Sequence, residues 1–337
     1  MGAGGDLATA GRGMRRGAAL VAALGVAGGA AAGALAAFTA DVTADATFAA
    51  APDWTPPTAT VHTVQKAEGG VPGFVRPGGG YRVLASFADT GNPASGFAAA
   101  SADTTSLTAA ASASALTTAG GPTTAGGVDY THRSGLLTAD GGTPAGARTY
   151  AITATDADAN TGTQSGLTVT VDGTAPTAQD IQTVNAGAIA GRPEAGDRIV
   201  FTFSEPVDPQ SIVAGWTGDA PTPAVVRFTN GFLIAADTVG VRNAANSAAL
   251  PLTPADITLP NGGYVNGDLT FGASGTASTV TVSGATVTVT LGTASGTAAT
   301  GGAGTLSWTP GAALYDRAGN AATTGAATES GASDAEF

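Results

Sequence analysis

Cysteine is absent from the 337 residues, lysine occurs once, at Lys66, and histidine twice, at His62 and His132. Without a thiol the chain has no disulfide, no thiolate-held metal, no cysteine nucleophile and no cysteine for a lipid anchor. That absence does not argue for the cytosol, because a domain above roughly 100 residues buries enough surface to fold without cross-links. Two histidines cannot build a three-histidine metal site, and no H-E-x-x-H motif occurs. A Ser-His-Asp set would lack the G-x-S-x-G elbow, so each histidine is expected as a solvated or strand-surface residue. Lys66 stands in Val64-Gln65-Lys66-Ala67 with no glycine before it, which excludes a P-loop. Nothing around it suggests the desolvation that a Schiff-base lysine needs, and a solvated charge is expected.

Aromatic residues make up only 6% of the chain, so any core must be concentrated in a few Val, Ile, Leu, Phe and Tyr positions. What is abundant is glycine, 51 residues, which favours turns and disfavours long helices. Thirteen basic against 25 acidic residues give a net charge of −12, and nucleic acid is not expected as a partner.

Arg12, Arg15 and Arg16 precede an apolar run from Ala18 to Ala32, and small residues then lead to Ala34-Leu35-Ala36. This is the layout of a secretory signal, assigned to residues 1–37. A membrane anchor is the other reading of an apolar run of about 20 residues. The stretch Leu35-Ala36-Ala37-Phe38-Thr39-Ala40-Asp41 resembles signal peptides of the SipW-dependent type, found on secreted matrix and surface proteins; the resemblance implies export and cleavage near Phe38. Removing residues 1–37 takes away three Arg and Asp6, leaving 10 basic and 24 acidic residues and a net of −14. Residues 38–52 read as a spacer. No sortase-type signal is present, so covalent attachment to a cell wall is not expected.

The pattern D-x-T-x-P-T-A occurs twice, from Asp53 to Ala59 and from Asp172 to Ala178. Two similar turns follow: Asp156-Ala157-Asp158-Ala159-Asn160 and Asp316-Arg317-Ala318-Gly319-Asn320. The opening signs, at 53 and 172, lie 119 residues apart and the closing signs, at 156 and 316, lie 160 apart, so the second unit carries 41 more residues between its signs.

Between the signs the patterning is that of strands. Thr58 to Val64 follows a proline pair suited to the start of an edge strand. Tyr81, Val83, Ala85 and Phe87 alternate with Arg82, Leu84 and Ser86; Tyr150, Ile152 and Ala154 alternate with Ala151, Thr153 and Thr155. Leu167, Val169 and Val171 follow across a polar turn, which predicts an antiparallel hairpin. In the second unit Ile199, Phe201 and Phe203 form one strand face, and Val280-Val282 with Val287-Val289-Leu291 form a hairpin around Ser283-Gly284. Ser101 to Gly127 reads as a flexible or glycosylated stalk, or, with Leu107 and Leu116 spaced along it, as strands with small side chains; the second reading is favoured.

The runs Tyr150 to Asp156, Asn160, and Val169 to Pro176 resemble the closing strands of bacterial Ig-like repeats, in which a D-x-x-G-N turn joins the last two strands. Asp316, Gly319 and Asn320 fit that turn; in the first unit Ala159 replaces the glycine, so the turn is expected to differ or to place Asp158 or Asn160 in the left-handed conformation. Val200 to Asp208 looks like an early strand of Ig-like domains in S-layer and adhesin proteins. The resemblance implies an all-β protein of two tandem Ig-like β-sandwich domains, residues 53–172 and 173–325; an acidic tail at 326–337, disordered from Glu329, is expected after them.

Asp156, Asp158 and Asn160 place oxygen side chains at alternate positions, the start of a calcium loop; an EF-hand would need glycine and an acid where Thr161 and Leu167 stand. An Asx-rich turn whose side chains bond the backbone is the favoured reading, and calcium at the junction through Asp172 is a further hypothesis. No other cofactor is expected. Glu205 and Asp208 flank Pro206 in a turn, with no cleft-forming insertion to make them a glycosidase pair. Trp54, Trp216 and Trp308 would form a sugar-stacking set only if two shared a surface, and core or junction packing is favoured. A Lys66 to Asn160 isopeptide bond, with Asp89 as the acid, is one more hypothesis.

The expectation is an exported, non-catalytic structural or adhesive protein, secreted or at the cell surface. A surface or matrix protein or a glycan is its expected partner, with membrane contact only through an uncleaved signal. A carbohydrate-binding accessory module and an enzyme with an unrecognised site are the alternatives.

Overall fold

A computed structural model describes residues 53–231 and 235–337; the signal segment and spacer expected at 1–52 lie outside them. The described residues cluster into one compact body, and the structure is all-β with curled sheets. The one α-helix among them is a single turn, α1 (Pro209–Ile212).

The first sheet draws on β1 (Thr58–Lys66), β2 (Phe74–Val75), β3 (Gly80–Ala88), β4 (Phe97–Asp103), β5 (Ser114–Thr117), β8 (His132–Ser134), β9 (Leu137–Thr138), β10 (Gly146–Asp156) and β11 (Thr161–Val171). Its order is β1-β3-β8-β5-β4-β10-β11-β2, with β9 paired to β3, while β6 (Thr123–Ala125) and β7 (Val128–Tyr130) form a separate hairpin. The second sheet orders β12 (Ala178–Val184), β13 (Arg198–Phe203), β19 (Thr286–Thr290), β18 (Ser278–Ser283), β14 (Thr222–Thr229), β15 (Thr238–Asn243) and β16 (Ile257–Thr258), with β17 (Leu269–Phe271) on β14. Two short pairs complete it: β20 (Ala303–Gly304) with β23 (Asp334–Ala335), and β21 (Ser307–Trp308) with β22 (Ala327–Thr328).

Period-two patterning explains these strands. Tyr81, Val83 and Ala85 are buried on β3, Tyr150, Ile152 and Ala154 on β10, and Ile199, Phe201 and Phe203 on β13, as the alternation predicts. The β10–β11 and β18–β19 hairpins pair antiparallel. Ser101 to Gly127 is folded, with β5 paired to β4 and Leu107 and Leu116 in the core, so the stalk reading fails there.

Each sheet closes over its own apolar cluster. The first is small and lined largely by Ala and Val around Tyr81 and Tyr150. The second is larger and rich in aromatics: Trp308 packs against Phe201 and Phe203, and Phe228 against Phe271. The additional length of the second unit, seen in the spacing of its turn signs, contributes Leu250, Leu252, Tyr264 and Val265 to this core.

One expectation is corrected. The disordered acidic tail is instead a packed segment: Phe337 is buried against Phe228 and Tyr264, and Glu336 is buried too. The tail's polar composition hid a single large apolar side chain, and one such anchor with two short strand pairings is enough to dock it.

Candidate functional site at the junction of the two sheets

The duplicated signs meet in space, and do so twice. In the first unit Asn160 Nδ2 donates to Asp53 O at 2.7 Å and to Asp156 Oδ2 at 2.8 Å. In the second, Asn320 Nδ2 donates to Asp172 O at 2.9 Å and to Asp316 Oδ2 at 2.8 Å. In each turn the aspartate Oδ1 accepts the asparagine N–H, so both carboxylate oxygens of the aspartate are bonded to the asparagine. The repeat is therefore a clasp that ties the start of each unit to its last hairpin or turn. Ala159 itself takes the left-handed conformation, φ 67°, where Gly319 has φ 95°. The expectation that the first turn would differ, or shift the strain to Asp158 or Asn160, is corrected: the geometry is kept and the alanine bears the strain.

Of the three residues suggested for calcium, Asp156 and Asn160 are bonded to each other, and Asp158 Oδ2 accepts Asp53 N at 3.1 Å. Asp156 instead lies with Asp53 and Asp89, their nearest carboxylate oxygens within 4.8 Å of one another. Asp53 and Asp89 both accept backbone N–H groups, from Thr55 and Ser95 and from Gly91 and Gly96. Those bonds hold the Asp53 carboxyl below its ordinary range.

The equivalent group in the second unit is Asp172, Glu205 and Asp316. Here the compensation is incomplete, because Glu205 Oε1 is buried without a hydrogen-bond partner. Desolvation, then the charges of Asp172 and Asp316, push Glu205 up to about 7, and burial raises Asp316 in the same direction. Glu205 and Asp208 do not face one another as a pair, since Asp208 is engaged elsewhere.

That engagement is the main feature of the junction. Lys66, at the end of β1, is not solvated but buried, and its Nζ lies 2.5 Å from Asp208 Oδ2, with both side chains essentially inaccessible. Lys66 Nζ also donates to Arg317 O at 2.9 Å. Asp208 is the N-cap of α1, accepting Gln210 N through Oδ1 and Val71 N through Oδ2. Gln210 Nε2 returns to Glu68 O at 2.6 Å. The loop that makes this approach possible needs Gly70, at φ +78°, where a Cβ would lie 2.3 Å from Asp208 Oδ2. A fully desolvated pair with its remaining valences filled by backbone is the arrangement in which burying two charges is tolerated. The sequence did hold one signal of this: a chain that dispenses with lysine everywhere else keeps one.

Lys66 and Asn160 occupy different ends of the first sheet's region, so the isopeptide geometry is not formed: Asn160 is held by Asp53 and Asp156, and Lys66 by Asp208. His62 Nδ1 shares a hydrogen bond with Tyr150 Oη at 2.9 Å, while His132 lies edge-on to Phe87 and Phe97. Both histidines pair in register with Ala85, from opposite sides of β3. Burial lowers the basicity of each. Trp308 is in the core with Nε1 on Leu252 O, Trp54 is 79% exposed, and Trp216 is half-buried. Trp54 precedes β1 and Trp216 lies beside its far end at Lys66, so the nine residues of β1, about 30 Å of strand, separate them.

Beside the ion pair opens a cleft of about 750 Å³ between the two sheets. The first unit contributes Arg82 and Leu84 from β3, Arg133 from β8, the β6–β7 hairpin and the Gly69–Pro72 loop; the second contributes Gln210, Trp216, Asp219 and Arg317. This cleft was not foreseen from the sequence, where the arginines are scattered singly.

No family model, no curated protein and no solved structure matches this chain.

Proposed function

We propose that the chain is an exported, non-catalytic structural or adhesive protein of the cell surface or extracellular matrix, built from two Ig-like β-sandwiches in a stiff tandem. The observation that carries this reading is the buried Lys66–Asp208 pair spanning the two sheets. A flexible linker would leave those charges in water, whereas here separation of the units would have to open a desolvated ion pair and three further hydrogen bonds. Stiffness across a short junction suits a spacer or a display module, and a high negative charge favours solubility. The duplicated clasp supports the tandem, and the apolar segment followed by Ala34-Leu35-Ala36 supports export. The engagement of His62 with Tyr150 and of His132 with two phenylalanine rings favours packing over catalysis for both.

Fractionation of the native host, with mass spectrometry of the mature N-terminus, tests the location. The protein is expected in the surface or extracellular fraction with a terminus near Phe38. Recovery in the cytosol with residues 1–37 intact would overturn the reading.

A further inference from the structure

The cleft beside the ion pair is a positive site in a strongly acidic protein. Arg82 and Arg133 line it from the first sheet and Arg317, whose guanidinium lies 5.8 Å over the Phe74 ring, lines it from the turn between β21 and β22, while Asp219 is the one acidic residue along its wall. Among the described residues no carboxylate lies within ion-pair distance of any of the three arginines, although acids outnumber bases about two to one in the whole chain. Arg82 is braced by a bond from Nη1 to Ser134 O at 2.8 Å, and Arg133 by Nε to Ala119 O at 2.9 Å. These backbone bonds fix the two side chains while leaving other N–H groups of each fork for a ligand. Bracing an uncompensated cation costs side-chain entropy and contributes no local ion pair, which a merely solvated arginine would avoid.

Three further groups define what would bind beside an anion. Gln65, 8% exposed, borders the cleft, and its Oε1 is buried without a hydrogen-bond partner. Trp216 packs against the second core, satisfies its indole N–H on Ala220 O and lines the opening with apolar ring. Thr123, Thr124 and Thr217 add hydroxyls, and the rim is glycine-rich. Guanidinium forks suit carboxylate or sulfate, a tryptophan ring suits the C–H face of a pyranose, and the threonine hydroxyls suit those of a sugar. A volume of about 750 Å³ falls within the range of small-ligand sites.

We propose that the cleft between the two sheets binds an acidic oligosaccharide, with Arg82, Arg133 and Arg317 taking its carboxylates or sulfates and Trp216 stacking on a sugar ring. This goes beyond the spacer reading and gives the adhesive alternative within it a ligand. A cleft that bound nothing would leave the stiff tandem standing, and the two therefore fail separately.

The test is calorimetric titration of the full-length chain with a four-sugar oligogalacturonate, its sulfated counterpart, its fully methyl-esterified form and tetraglutamate. Binding of the carboxylated or the sulfated sugar is expected, the preference between them naming the anion. At least about a tenfold loss is expected on methyl esterification and in each of Arg133→Gln, Arg317→Gln and Trp216→Ala. Arg148→Gln, on β10 away from the cleft, should bind like the parent, and thermal melts establish that each variant is folded. If an arginine variant melts early, Arg133→Lys replaces it, keeping the charge while losing the fork, with a smaller loss expected. No binding of either anionic sugar, equal binding of the neutral ester, binding of tetraglutamate as tight as that of the sugar, or an equal loss in Arg148→Gln would each overturn the proposal.

Discussion

Two single residues depart from their ordinary behaviour, each for a local reason. Ala159 holds φ 67° because the clasp around it is the same as that around Gly319, and an L-residue in that conformation is strained. Ala159→Gly is expected to raise stability by about 0.5–1 kcal/mol despite the extra freedom of glycine in the unfolded chain. Urea unfolding measures it, and a loss of stability would show that the alanine is not strained. Gly319 is less replaceable on account of its φ of 95° alone, since an added Cβ would meet Lys66 Cδ at 3.4 Å, an ordinary contact distance. Glu205 is the second. Its folded pKa of about 7 stands above the ordinary 4.5, so between those values the folded chain keeps a proton that the unfolded chain has lost. Its contribution to stability is full below the lower value and is lost as pH rises through the upper one. Melting temperatures of parent and Glu205→Gln should therefore diverge as pH rises from about 5 to about 8, with the parent falling relative to the variant. Parallel curves would mean that neither burial nor the charges of Asp172 and Asp316 disfavour the ionised Glu205. Neither residue's state was legible in the sequence, because each depends on groups more than 30 positions away or on a backbone angle that composition does not record.

At the scale of elements the sequence was most informative where alternation was cleanest. The faces of β10, β11 and β13 and the hairpins β10–β11 and β18–β19 follow from period two alone, whereas on β3 Leu84, on the face with Arg82 and Ser86, is also buried, against Ala125 and Tyr130. The clasp was legible as a repeated pattern, but its bond was not, since Asn160 reaches Asp53 across 107 positions and Asn320 reaches Asp172 across 148. Low-complexity composition misled in one place only: the Glu329–Phe337 segment lacks any periodicity, and its docking rests on Phe337 against Phe228 and Tyr264. Phe337→Ala is expected to cost about 3–5 kcal/mol, the usual penalty for emptying an aromatic site in a core. Thermal or urea unfolding checks this, and an unchanged midpoint would return the segment to the free tail that its composition suggests.

For the whole molecule, a spacer role requires the two sheets and their cores to behave as one stiff body. The parts were visible in the sequence as a doubled pattern, while the join was not, because Lys66 and Asp208 are 142 positions apart and neither sits in a recognisable motif. Losing one partner leaves the other charge buried and uncompensated, so Lys66→Met is expected to destabilise by about 3–5 kcal/mol, and the double change Lys66→Met with Asp208→Leu should recover much of that. The absence of cysteine offers a direct probe of the join, since spin labels can be placed at will. Thr118→Cys in the first unit and Ser283→Cys in the second are exposed positions suited to double electron–electron resonance. A single narrow distance distribution that broadens in Lys66→Met is the predicted result; a broad distribution in the parent, unchanged by Lys66→Met, would contradict the stiff tandem.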